Sequence, residues 1–247
     1  MRVVVSLTTI PSRIGLIRPM IESVLGQTYK PDRFVLWIPS RCVKENSQYI
    51  IPPWLAEFPV EIGDTVCDYG PATKLIPSLQ QEEEPNTRVI TLDDDVAYEK
   101  HALEEMVQVS EAWPDMVFGF MGCRAGPTYI HTEHLDPAVS WTEVKVLGGY
   151  RGIIYRRGLL DNSIMRDLLT LLEQGPFVCD DQLFSWNLLR RGIKRAVLRT
   201  KYPGPNGGLN FRFLGLGGGI YDGEHKLAGE SIKHLEELYD RNGWRRS

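Results

Sequence analysis

Three successive aspartates, Asp93-Asp94-Asp95, follow the apolar run Val89-Ile90-Thr91-Leu92. A short β-branched run reads as a buried strand. In an open α/β sheet, ligands bind outside the carboxyl ends of the strands. Carboxylates this close repel one another unless a cation neutralises them. A hard divalent cation, Mn²⁺ or Mg²⁺, held by oxygen ligands and a diphosphate meets that need. The plainer role is a helix N-cap with extra dipole-compensating acids, for which one aspartate suffices.

A second acidic group, Asp180-Asp181, precedes a stretch with Leu183, Phe184, Trp186 and Leu188 at helical spacing. One of the pair fits a general base, and an N-cap is the alternative. The pair alone does not choose between them. In Asp68-Tyr69-Gly70-Pro71-Ala72-Thr73-Lys74 a turn delivers Lys74 near a helix start. Such a lysine meets a phosphate or lies solvated on the surface. Thr8-Thr9-Ile10-Pro11-Ser12-Arg13 follows the first strand. Its hydroxyls and arginine suit a base or phosphate, or form a plain βα loop. His225, in Asp222-Gly223-Glu224-His225-Lys226, is one of five histidines. Imidazole is a common ligand, although Mn²⁺ favours oxygen.

The elements that must position these groups alternate between strand and helix. Strands are predicted at 2–7, 34–38, 60–66, 88–92, 116–121, 144–147, 153–155 and 196–198. Helices are predicted at 16–25, 72–81, 98–113, 164–173, 180–190 and 231–239. A strand–helix–strand opening argues for a βαβ unit on a parallel sheet. The fold class is therefore α/β. Gly204, Gly207, Gly208, Gly215, Gly217, Gly218 and Gly219 make residues 201–219 a loop or mobile lid. That lid is expected to order over a bound ligand and carry His225 to the metal.

The bulk composition is that of an ordinary globular protein, with 43% hydrophobic and 24% charged residues and a net charge of −4 over 247 residues. A basic stripe of the kind that binds nucleic acid is not evident. Glu82-Glu83-Glu84 reads as a solvated helix end. Cys42, Cys67, Cys123 and Cys179 form no C-x-x-C pair, so a thiolate zinc site is not expected. Each cysteine sits among apolar residues, and a reducing compartment is the simplest reading, although two disulfides remain open. The opening residues lack the apolar core of a signal peptide. No run approaches the ~20 apolar residues of a membrane span. A cytoplasmic protein without a transmembrane segment is expected.

The ordered set resembles the GT-A-fold nucleotide-sugar glycosyltransferases. Ser6-Leu7-Thr8-Thr9-Ile10-Pro11-Ser12-Arg13, Thr91-Leu92-Asp93-Asp94-Asp95-Val96 and Cys179-Asp180-Asp181-Gln182-Leu183-Phe184-Ser185-Trp186 are similar to small transferase domains of large algal DNA viruses. The resemblance covers residues 1–226. It implies one GT-A domain over 1–247, with a Rossmann-like, mostly parallel central sheet flanked by helices. Residues 1–95 would form a nucleotide-binding half, 96–226 an acceptor and catalytic half, and 227–247 a closing helix.

The resemblance also implies roles. Asp95 would bind the metal, with Asp93 and His225 completing its shell. Asp93 and Asp94 would contact ribose or metal. Asp68 would meet the base of a UDP-sugar, and Thr8, Arg13 and Lys74 would serve the nucleotide. Asp181 would be the base of an inverting hexosyl or deoxyhexosyl transfer to a glycan or other hydroxyl acceptor. The family's usual pair is Glu-Asp, so Asp180 stays a candidate. Gly148-Gly149-Tyr150 would floor the sugar pocket, glycine permitting close backbone approach.

Two other functions share some of these features. A sugar-phosphate nucleotidyltransferase would want a glycine-rich loop after the first strand, and Thr8 to Ile14 holds no glycine. A carbohydrate-binding module would use Trp37, Trp54, Trp113, Trp141 and Trp186 as sugar platforms, and would not need Asp93-Asp94-Asp95.

Overall fold

Three consecutive valines start strand β1 (Val3–Thr8), which is buried from Val3 to Leu7. β-Branched apolar side chains suit a strand covered on both faces. The computed structural model describes residues 1–124, 129–132, 135–136, 138–172, 179–202, 212–216 and 237. After β1 come helix α1 (Arg18–Leu25), with Pro19 in its first turn, and strand β2 (Arg33–Pro39). Proline costs little there because that amide has no helical partner. Next are β3 (Glu61–Thr65), α2 (Ile76–Gln81), β4 (Arg88–Thr91), β5 (Val96–Ala97) and α3 (Ala102–Ala112). Four short strands follow: β6 (Met116–Gly119), β7 (Met121–Cys123), β8 (Tyr129–His131) and β9 (Trp141–Glu143). The remaining elements are β10 (Val146–Leu147), β11 (Ile153–Arg156), α4 (Ser163–Leu172), α5 (Asp180–Arg190), β12 (Lys194–Leu198) and β13 (Arg212–Phe213).

The main sheet has eight strands in the order β3-β2-β1-β4-β11-β6-β12-β9. β1 pairs in parallel with β2 and β4, as does β12 with β6, whereas β11 and the edge strand β9 run against their neighbours. Alternate residues of each strand point to opposite faces. Val3, Val5, Leu7, Phe34, Leu36, Ile90 and Phe118 pack with α1 and α3 in one apolar cluster. Val89, Val117, Tyr155 and Val197 pack with α2, α4 and α5 in another. The α/β class, with a mostly parallel sheet flanked by helices, is the architecture observed. Small sheets β10-β7-β8 and β13-β5 attach to it.

Several boundaries differ from the sequence pattern. The helix expected at 72–81 begins at Ile76, after a 3₁₀ turn over Gly70–Lys74. Pro77 clashes with a helix continuing from upstream, so the α-helix restarts there. The helix expected at 98–113 begins at Ala102, and the Tyr98 amide ahead of it donates to Ser23 Oγ at 3.0 Å. The strand expected at 116–121 splits into β6 and β7, which belong to different sheets. At Gly122 a Cβ would fall 2.6 Å from the Val146 carbonyl oxygen, so only glycine lets β7 and β10 close up.

Glu82 is buried and bridges Arg2 at 3.0 Å and Arg33 at 3.2 Å, so it is no solvated helix end. The four cysteines are free, and Cys67 is exposed rather than packed among apolar groups. No helix among the described residues is long and apolar enough to cross a membrane. Of the expected lid only a few residues are described, and there β13 pairs with β5. The helix expected at 231–239 lies outside the described residues, Glu237 excepted.

Candidate active site

The antiparallel strand β11 brings the two acidic groups together. Thr91, at the carboxyl end of β4, pairs with Ile153, the first residue of β11. The turn before β11, Gly149–Arg151, therefore lies beside the aspartates that follow β4. The start of α5 is drawn to the same place, because Ser185 Oγ accepts the Leu147 amide at 3.0 Å.

Lys74 joins the two groups. Its Nζ lies 2.6 Å from Asp93 Oδ1 and 2.9 Å from Asp180 Oδ2. Its side chain is 7% exposed, so the surface-lysine reading fails. Buried hydroxyls anchor its backbone. Ser6 Oγ donates to the Lys74 carbonyl, and Trp37 Nε1 donates to Ser6 Oγ and Ser78 Oγ at 3.0 and 2.9 Å. Arg13 serves the other end of the run. Its Nη1 lies 2.8 Å from Asp94 Oδ1 and 3.4 Å from Asp95 Oδ2. Thr9 Oγ1 donates to Asp94 Oδ2 at 2.6 Å.

Neither acidic group caps a helix. Asp93 to Asp95 lie between β4 and β5, well before α3 begins. In α5 the cap position is Cys179, with no side-chain capping bond, and Asp180 and Asp181 are already helical. Asp181 Oδ1 instead accepts the Gly149 amide at 2.9 Å.

Burial sets the electrostatics. It pushes Asp181 up to about 8, with the charge of Asp180 adding to it and Lys74 opposing. Asp95 is pushed up to about 6 by burial and then by Asp93 and Asp94, against Arg13. Asp94 is also raised by burial, opposed by Arg13 and Thr9. Burial alone would lower Lys74, but Asp180, Asp93 and Asp181 outweigh it and hold the ammonium well above its ordinary value. Lys74 and Arg13 thus supply part of the cationic charge that the sequence reading assigned wholly to a metal.

Asp95 keeps the weakest counter-charge of the three aspartates, a single 3.4 Å approach by Arg13. An all-oxygen donor set with an under-compensated carboxylate fits Mn²⁺ or Mg²⁺. Among the described residues no group of three or more His, Cys, Asp and Glu is arranged as a finished metal site. His225 lies outside the described residues. The nearby described segment reaches this place, since the Leu214 amide donates to the Asp95 carbonyl at 2.8 Å.

Two expected nucleotide residues make contacts of their own. Thr8 Oγ1 donates to the Trp37 carbonyl at 2.9 Å, and Thr9 rather than Thr8 reaches the aspartates. Asp68 holds a turn: its oxygens accept the Val43 amide at 2.7 Å and the Gly70 amide at 2.8 Å. Trp37 is fully buried and cannot be a sugar platform.

Sequence reasoning missed Tyr98. It is buried, and its Oη accepts the Asp93 amide at 2.9 Å and donates to the Tyr150 carbonyl at 3.2 Å. Its place five residues after Asp93 carried no local signal of this contact.

No family model and no curated protein matches the chain. Its fold is similar to that of Staphylococcus aureus TarS. TarS 1-349 in complex with UDP matches with a TM-score of 0.52 and 18% identity, over 81% of this chain and 59% of that one. The complex with UDP-GlcNAc gives a TM-score of 0.52 and 18% identity, over 81% and 57%. The chain spans just over a third of a longer TarS structure, 36% of its length. At this identity the likeness is one of fold.

Proposed function

We propose that this protein is an inverting, divalent-metal-dependent glycosyltransferase that moves a sugar from a UDP-linked donor to a hydroxyl of a glycan or other acceptor. The observation that carries the reading is the Lys74 bridge, which gathers an acidic run at a strand end and an acidic pair at a helix start into one site. The fold supports it, since TarS, of similar fold, has been solved with UDP and with UDP-GlcNAc.

In this reading Asp95 and Asp93 would hold Mn²⁺ or Mg²⁺, with His225 as a further ligand. A bound divalent cation supplies charge that stabilises a departing diphosphate. Arg13 and Lys74 add fixed positive charge in a buried setting, where it acts more strongly than in water. Asp181 takes the proton from the acceptor hydroxyl as that oxygen attacks the anomeric carbon and the carbon–diphosphate bond breaks. A base pushed up to about 8 is well matched to that transfer near neutral pH. Asp180 lies 2.9 Å from Lys74 and serves to hold the lysine.

The test is calorimetry followed by product analysis. UDP should bind in Mn²⁺ more tightly than GDP, and an α-linked donor should give a β-linked product by NMR. Tighter GDP binding would refute the UDP assignment, and an α-linked product would remove the base role from Asp181.

A further inference from the structure

The donor-side aspartates and the Asp181 carboxyl lie on different elements, yet a part-buried chain of contacts connects them through one phenol. Tyr98 Oη accepts the Asp93 amide at 2.9 Å and donates to the Tyr150 carbonyl at 3.2 Å. Tyr150 follows Gly149, whose amide donates to Asp181 Oδ1 at 2.9 Å. The turn is closed by the Gly152 amide, which donates to the Gly149 carbonyl at 2.7 Å. Tyr98 is itself pinned at its backbone, where its amide donates to Ser23 Oγ on α1. A phenol has one donor and can accept, and here it uses both functions on backbone groups of the two halves of the site. A phenylalanine would fill the same space and leave the Asp93 amide and the Tyr150 carbonyl, both part-buried, without this partner.

We propose that Tyr98 is a positioning residue, which sets the spacing between the Asp93 turn and the Gly149 turn and through it the orientation of Asp181. The proposal rests on the transferase reading for its catalytic consequence, but the geometry it describes does not. The groups facing Asp181 are Asp180 and Cys179 on its own helix, Lys74, Asp93, Tyr155 and Cys123. Tyr98→Phe substitutes none of these side chains, and among them only Asp93 is bonded to the hydroxyl, through its backbone amide. The Gly149 amide stabilises the ionised Asp181 carboxyl, so loosening that turn should move Asp181 to higher pH.

The experiment compares wild type with Tyr98→Phe by ¹³C-carboxyl NMR titration of Asp181 and by the pH profile of turnover. The titration midpoint of Asp181 and the basic limb of kcat should both move to higher pH. Turnover should fall roughly ten- to a hundredfold, the scale of a misplaced catalytic group. An unmoved Asp181 midpoint, with any lost activity tracking lost folded protein, overturns the proposal. If the wild type transfers no sugar, the carboxyl titration still decides the point, while the transferase reading alone fails. Should Tyr98→Phe not fold, Ser23→Ala removes the backbone pin and should shift the midpoint in the same direction by less. No shift in that folded variant likewise overturns the proposal.

Discussion

Gly149 and Asp181 are in such close contact that a Cβ on the glycine would fall 2.7 Å from Asp181 Oδ1, and 3.2 Å from Lys74 Nζ. The Gly149 amide donates to that same oxygen. The clash is with the end of a short side chain, which can rotate away only by giving up the hydrogen bond. Gly149→Ala should therefore fold with a modest loss of stability, ~1–3 kcal/mol, and lose most turnover. Urea unfolding and kcat measured on the same sample check this. Turnover near wild type would mean that the contact does not matter to function.

On the proposed reading, the pH dependence of turnover follows from Asp181, which burial pushes up to about 8. A general base works only when ionised, so kcat should rise with pH and level off above about 8. Asp181→Asn should flatten the profile and lower kcat by about two to four orders of magnitude. Asp180→Asn should cost less and move the profile to lower pH, because the Asp180 charge adds to the Asp181 shift. A profile already flat from pH 6 to 9 in the wild type would remove Asp181 from the role.

Stability should respond to the same group with a definite sign. The folded state holds Asp181's proton up to about pH 8, whereas the unfolded chain releases it near 4. The folded form therefore binds more protons between those limits, and this contribution is lost as pH rises through about 8. Asp181→Asn, whose amide oxygen can still accept the Gly149 N–H, lacks that loss. Its melting temperature should gain on the wild type as pH is raised from 5 to 9. A constant difference across that range would contradict the shift.

Lys74→Met tests the bridge. It leaves Asp93 and Asp180 without the buried cation that approaches them at 2.6 and 2.9 Å. Breaking a buried pair from one side costs about 3–5 kcal/mol. Adding Asp180→Asn to Lys74→Met should recover part of that loss, since the second change removes an unpaired charge. Additive destabilisation in the denaturation cycle would show that the two side chains are not coupled.

Much of this arrangement was legible in the sequence, and the failures have physical causes. β-Branched runs and helical spacing marked β1, β2, β4 and α5, because those signals are local. The two acidic groups were picked out by residue type, and Lys74 and Arg13 by their places after turns. What the sequence could not convey was pairing across distance. Lys74 and Arg13 neutralise the aspartates through contacts 19 and more residues apart, which local patterns do not encode. The hydroxyl of Thr9, not that of Thr8, reaches Asp94, because side chains alternate along the end of β1 and a one-residue step reverses the face. Tyr98 was read into a helix, since its apolar ring fits that periodicity while its hydroxyl belongs to the site. β9 and β13 were missed because strands of two or three residues carry too short a pattern.

The most direct test of the central claim is release of UDP from a panel of nucleotide sugars, with Mn²⁺ and with chelator, because many transferases slowly hydrolyse their own donor. The account predicts release from a UDP-sugar in Mn²⁺, its loss in chelator, and its loss in Asp95→Asn with the circular dichroism spectrum unchanged. Release from no nucleotide sugar, or release that is full in chelator, would contradict it.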